Sequence, residues 1–237
     1  MWRTSSTARS PLRRQAQPLK SLNSLTVACY HLLIFKLSSG TASVRVVRSS
    51  LDVIPVLPQK FSAPELDALV KEGLQWFHAQ RESFLPSAVP LDGSEKTSLS
   101  PFFPADVLDR ARIVDCLKTG GKIPFPPFYE KLRAGGDRVL PDATHMTAVT
   151  FVDVIVFNRQ PTLRVMFHNL VHVTQFALLG AERVVRSYFH TINESGLWMV
   201  VPFEEQAYQL DARYTRNPSD VFSVEEEVRK WAEQGRF

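Results

Sequence analysis

The chain has 237 residues, 44% of them hydrophobic, enough for one substantial core with an appendage. Its formal net charge of +4 is uneven: the first 51 residues hold eight Lys and Arg and no acid, leaving 20 basic against 24 acidic residues for the rest. A mildly acidic body lacks the basic stripe of a nucleic-acid binder, and two cysteines without a close pair, Cys29 and Cys116, exclude a disulfide framework and a cysteine zinc site.

Residues 1–58 read as a basic tail ahead of a folded body at 59–237. The apolar run LTVACYHLLIFKL (25–37) is too short to cross a bilayer comfortably and is interrupted by His31 and Lys36, so no transmembrane segment is expected. Three origins fit the tail. They are a mitochondrial transit peptide, from the Arg- and Ser-rich, acid-free start; a secretory signal with a long basic region; and a disordered start with no targeting role. An intracellular, mitochondrial address is the targeting expectation.

SAPELDALVKEGLQWFHAQR reads as a helix capped by Ser62, with Pro64 in its first turn and Leu66, Leu69, Val70, Leu74 and Phe77 as an apolar stripe. Residues 85–104 read as a Pro- and Ser-rich connection. ADVLDRARIVDCL reads as a short helix, alone or leading into a strand. Pro124, Pro126 and Pro127 keep the next segment extended around Phe125, Phe128 and Tyr129. HMTAVTFVDVIVFN (145–158) has the β-branched and aromatic content of a strand. No glycine-rich phosphate loop is present.

QPTLRVMFHNLVHVTQFALLG reads as a helix opened near Thr162 and ended at Gly180, apolar on most faces and therefore interior. AERVVRSYF continues as a second helix, HTINESGLWMVV as a loop, PFEEQAYQLDARYTR as a helix with Pro202 at its first position, and SVEEEVRKWAEQ as a final helix with a Ser223–Glu226 capping box.

Within the apolar helix, His168 and His172 stand four residues apart and so project from one face. Two imidazoles so placed can reach one tetrahedral zinc ion, which needs a third protein ligand. With six histidines, such a spacing arises by chance in roughly one chain in ten, so the spacing alone is weak. Its burial strengthens it, because an imidazole on an apolar helix needs partners. Of the other histidines in the folded body, His78 reads as a helix-end or surface residue, and His145 and His190 as third choices for the third ligand, each more simply a surface or satisfied histidine.

The stretch VTFVDVIVFN…LRVMFHNLVHVTQFALLGAERVVRSYF…VPFEEQAYQLDARY resembles a family of zincin-like, gluzincin-type metallopeptidases. Their pattern is a strand, then H-E-L-V-H-V-x-Q, a leucine-glycine helix end, and later P-x-E-x-x-A-Y-x-x-E/D-A-R-F/Y. FFPADVLDRARIV and PPFYEKL upstream are similar too, so the resemblance covers about residues 101 to 215.

The resemblance implies an α+β, zincin-like body: an active-site helix preceded by a small β-sheet and followed by a ligand-bearing helix. It implies zinc held by His168, His172 and Glu204. Glu194, 22 residues after His172, is the rival third ligand, with Gly196 interrupting the helix that its pattern needs. Glu205 points about 100° from Glu204 on a helix, so one of the two faces a metal. Asn169 occupies the family's general-base glutamate. An amide cannot take a proton from water, and losing a general base costs about 10²–10⁴-fold in rate. Asp211 reads as a solvent salt bridge or an orienting partner of a ligand, and Tyr208 as core packing or an oxyanion donor.

Three functions fit. The first is a metallopeptidase-like zinc protein impaired in hydrolysis, binding a peptide or protein along the 149–157 strand. The second is a binding or scaffold protein that keeps the fold without metal. The third is an active hydrolase with Glu194 or Glu205 as base.

Overall fold

A computed structural model describes residues 60–237 apart from 135, 137 and 143. The basic segment 1–58, with Cys29 and the apolar run 25–37, lies outside the described residues.

The first helix, α1 (Ala63–Phe84), starts as its sequence predicts. The Glu65 carboxylate accepts from the Ser62 backbone N–H at 2.8 Å and from its hydroxyl at 2.6 Å. Residues 85–104 are more ordered than a connection. A 3-10 turn (Leu85–Ser87), strand β1 (Val89–Pro90) and helix α2 (Gly93–Leu99) fill most of them. Helix α2 opens with a reciprocal cap, Glu95 N donating to Asp92 Oδ1 at 2.8 Å and Asp92 N to Glu95 Oε2 at 2.9 Å.

Helix α3 (Ala105–Arg110) leads into β2 (Arg112–Asp115) and the single turn α4 (Cys116–Thr119); α5 (Tyr129–Ala134) follows the proline segment. The 145–158 segment folds as two strands rather than one, β3 (Ala148–Phe151) and β4 (Val154–Phe157), reversing at Val152–Asp153. Val152 has φ 63, which a β-branched residue adopts only at about 1–2 kcal/mol, so no Gly or Asn advertises the turn. Arg81 clamps the reversal: its Nε and Nη2 donate to the two carboxylate oxygens of Asp153 at 2.5 and 2.9 Å.

The remaining helices are α6 (Leu163–Leu179), α7 (Ala181–Ser195), α8 (Pro202–Arg216) and α9 (Val224–Glu233), with a 3-10 turn at Trp198–Val200. HTINES is therefore helix, not loop. It belongs to α7, which stops where Gly196 turns left-handed at φ 72.

The sheet order is β1-β2-β4-β3, with β2 and β4 parallel and the outer pairs antiparallel. The fold is α+β. All four β4 residues are buried, and they alternate between two cores. Ile155 and Phe157 join Met166, Phe167 and Leu170 of α6 on one face. Val154 and Val156 join Phe84, Phe151 and the α1 residues Trp76 and Phe77 on the other. Strand β3 is left as an edge. Among the described residues, no helix is long and apolar enough to cross a membrane.

Helices α1 and α7 approach closely at Gly73, where an added Cβ would lie 2.4 Å from the Phe189 ring, itself edge-on to Phe128. Gly73→Ala gains about 1 kcal/mol of helix propensity but overpacks a buried ring, at about 1–3 kcal/mol. The expected result is a net loss of stability, read as a lower urea midpoint. A higher midpoint would show that Phe189 yields freely.

Candidate metal centre

Phe167 anchors the helix that carries both histidines. It stacks on Tyr214 of α8 at 4.4 Å between ring centres and meets Phe102, Phe103 and Phe222 edge-on. This aromatic knob fixes α6 against α8, and the neighbouring face of α6 brings His168 and His172 to Glu204. The donor atoms of these three residues lie within 4.8 Å of one another.

The two Nε2 atoms stand 3.2 Å apart, and Glu204 oxygens lie 3.6 Å from each. Glu204 Oε2 faces His168 and Oε1 faces His172; donors about 2.0–2.1 Å from a tetrahedral ion are about 3.3–3.4 Å from one another, so the Nε2 pair is at the spacing of two such corners and the carboxylate stands close to a third. The far side of each ring is tied. His168 Nδ1 donates to Asp211 Oδ2 at 2.9 Å, and His172 Nδ1 donates to Gln175 Oε1 at 2.8 Å. With both Nδ1 atoms protonated, two Nε2 lone pairs face each other, an arrangement that a proton or a metal cation between them stabilises.

The charges agree. Burial acts to lower the pKa of His168, but hydrogen bonds to Asp211 and Glu204 outweigh it and raise it to about 9. Burial acts to raise that of Glu204, and the facing histidines hold it well below the usual carboxylate range. Both groups thus favour a cationic centre. Tyr188 of α7 donates its hydroxyl to Glu204 Oε1, and burial followed by the Glu204 charge keeps that phenol protonated.

Asp211 is buried, 3% exposed, with Arg164 on its second oxygen at 3.2 Å, so it is an internal orienting group rather than a solvent ion pair. Seven residues beyond Glu204, it repeats on nearly the same helix face. Asp211→Ala is expected to weaken zinc binding about 10–100-fold with the helical signal retained, measured by chelator competition. Unchanged affinity would remove Asp211 from the site. Tyr208 is 46% exposed with its ring 4.7 Å from that of His168, so it is not core packing. Burial, then Glu204 and Asp211, push its hydroxyl up to about 12, leaving a neutral donor at the mouth.

The rival carboxylates face elsewhere. Glu194 is exposed and paired with Lys60, and Glu205 accepts from Gln209 at 2.9 Å and Arg236 at 3.4 Å on the outer side of α8. His78, His145 and His190 are exposed. Asn169 is 4% exposed, and its amide is committed at both ends: Oδ1 accepts from the Thr150 hydroxyl of β3 at 2.9 Å, and Nδ2 donates to Val165 C=O at 2.8 Å.

These groups open into a cavity of about 500 Å³. Its walls are apolar, with Trp76, Phe77, Phe128, Phe176 and Phe189 prominent, and its polar groups gather at the histidine end and along β3. Sequence reading missed Tyr188, Thr150 and the orienting part of Gln175. Only the Q of H-x-x-x-H-V-x-Q offered a signal for any of them. Comparison with protein-family models, curated proteins and solved structures finds no match, so the chemistry of this centre is read from its own residues.

Proposed function

We propose that this is a zincin-like, metallopeptidase-type zinc-binding protein whose hydrolytic step is impaired. The carrying observation is the convergence of His168 Nε2 and His172 Nε2, 3.2 Å apart, on the Glu204 carboxylate, whose Oε2 lies 3.6 Å from the first and Oε1 3.6 Å from the second, with both Nδ1 atoms engaged behind them. That donor set of two imidazoles and one carboxylate suits zinc, which when bound supplies a Lewis acid to a carbonyl or water.

The chain's own residues explain the impairment. Asn169 has no basic site at neutral pH, and its amide already bridges Thr150 and Val165. The carboxylates that line the cavity among the described residues are Glu204 and Asp211; the first faces the histidines and the second holds His168 and Arg164. The geometry therefore favours the impaired reading over an active hydrolase with Glu194 or Glu205 as base. Tyr208 remains as a neutral hydrogen-bond donor at the mouth. Edge strand β3 offers unpaired main-chain groups to an extended peptide, and the aromatic cavity beside it takes an apolar side chain.

The test is metal analysis of the purified chain, with stoichiometric zinc expected. Absence of zinc even after loading would leave the scaffold reading, in which the fold serves without metal.

A further inference from the structure

We propose that Gln175 and Gln206 are positioning residues that set the tautomer of His172 and couple zinc affinity to helix α9. The inference rests on the zinc reading above. Both glutamines are fully buried, 0% and 1% exposed, in a part of the core where apolar side chains would pack without needing partners.

They form a directional chain. Gln206 Nε2 donates to the Glu227 carbonyl of α9 at 3.0 Å. A carbonyl only accepts, so the Gln206 amide is oriented with Oε1 toward Gln175. Gln175 Nε2 donates to that Oε1 at 3.0 Å and to Phe203 C=O at 3.1 Å, which turns Gln175 Oε1 toward His172. His172 Nδ1 must then carry the proton that it donates at 2.8 Å, and its Nε2 must carry the lone pair directed at His168 and Glu204.

Reversing either amide would set N–H against N–H and carbonyl against carbonyl along the chain. His168 reaches the same tautomer by other means, through the charged carboxylate of Asp211. The site thus has one histidine held by an ion and one held by a neutral relay that begins on the backbone of α9.

Zinc affinity of the full chain, measured by chelator competition, tests this together with the visible absorption of the Co²⁺-loaded protein. Gln175→Leu is expected to weaken zinc about 10–100-fold and to alter the Co²⁺ spectrum. Gln175→Glu keeps an acceptor for His172 but removes the donor to Phe203 C=O and Gln206. It should keep near wild-type affinity and spectrum while its melting temperature falls. Gln206→Leu should weaken zinc less than Gln175→Leu and serves if the latter does not fold. A merely structural role predicts that affinity follows melting temperature across all three variants, and that pattern would overturn the proposal. Wild-type protein that binds zinc beside indifferent glutamine variants sinks this inference alone. Wild type that binds none sinks the zinc reading with it.

Discussion

Glu204→Gln and His172→Ala are each expected to abolish stoichiometric zinc binding, while Glu205→Gln and Glu194→Gln retain it. Glu204 is buried 3.6 Å from both Nε2 atoms, and an amide in its place loses the negative charge that the cation needs. Glu205 and Glu194 are adjacent or rival in sequence but bind Gln209, Arg236 and Lys60 at the surface. Inductively coupled plasma analysis after zinc loading reads the result. Zinc retained by Glu204→Gln, or lost in Glu205→Gln, would reassign the third ligand.

Metal-free wild type should stay folded, because His168 lies between Asp211 and Glu204 and can carry the balancing charge itself. Zinc at 100 times its Kd should still raise stability by about 2.7 kcal/mol.

Asn169→Glu is expected to raise peptide hydrolysis by the zinc-loaded protein about 10²–10⁴-fold, the range that a general base contributes. Asn169 borders the cavity of about 500 Å³, so the extra methylene of glutamate has room to extend beyond its present contact with Thr150. Asn169→Gln has the same length without the basic oxygen and should stay at the wild-type rate. Cleavage of a quenched fluorogenic peptide by the three proteins, at matched zinc content, separates the cases. Equal rates in all three would show that position 169 is not the missing base. Without zinc, a carboxylate at 169 would join Glu204 in a buried site, so the variant should depend on metal for stability more than wild type does.

Much of the site was legible because helical periodicity is local. A four-residue spacing puts His168 and His172 on one face whatever surrounds them, and adjacent glutamates diverge, so that only Glu204 or Glu205 can face inward. Pro202 at the start of α8 and the Ser62 and Ser223 caps are local too. The D-x-x-E cap of α2 was equally readable, and reading 85–104 as a connection overlooked it. The hairpin at Val152–Asp153 was not readable, because Arg81, far away in sequence, clamps a turn that no glycine marks. The extension of α7 through HTINES was hidden by Gly196, which ends the helix but does not say how far upstream it runs.

By itself the sequence determined most of the helices, the shared face of the two histidines, and the presence of an amide beside the first of them. These follow from chain geometry within a few residues and from the chemistry of single side chains. Only the tertiary structure decided which carboxylate meets the histidines, that Asp211 and Gln175 hold their far sides, that Tyr188 ties Glu204, and that Asn169 is bound to Thr150. Those contacts join helices and a strand distant in the chain. They are selected by how the Phe167 knob seats α6 on α8 and by how β3 packs on α6, and no local pattern encodes that packing.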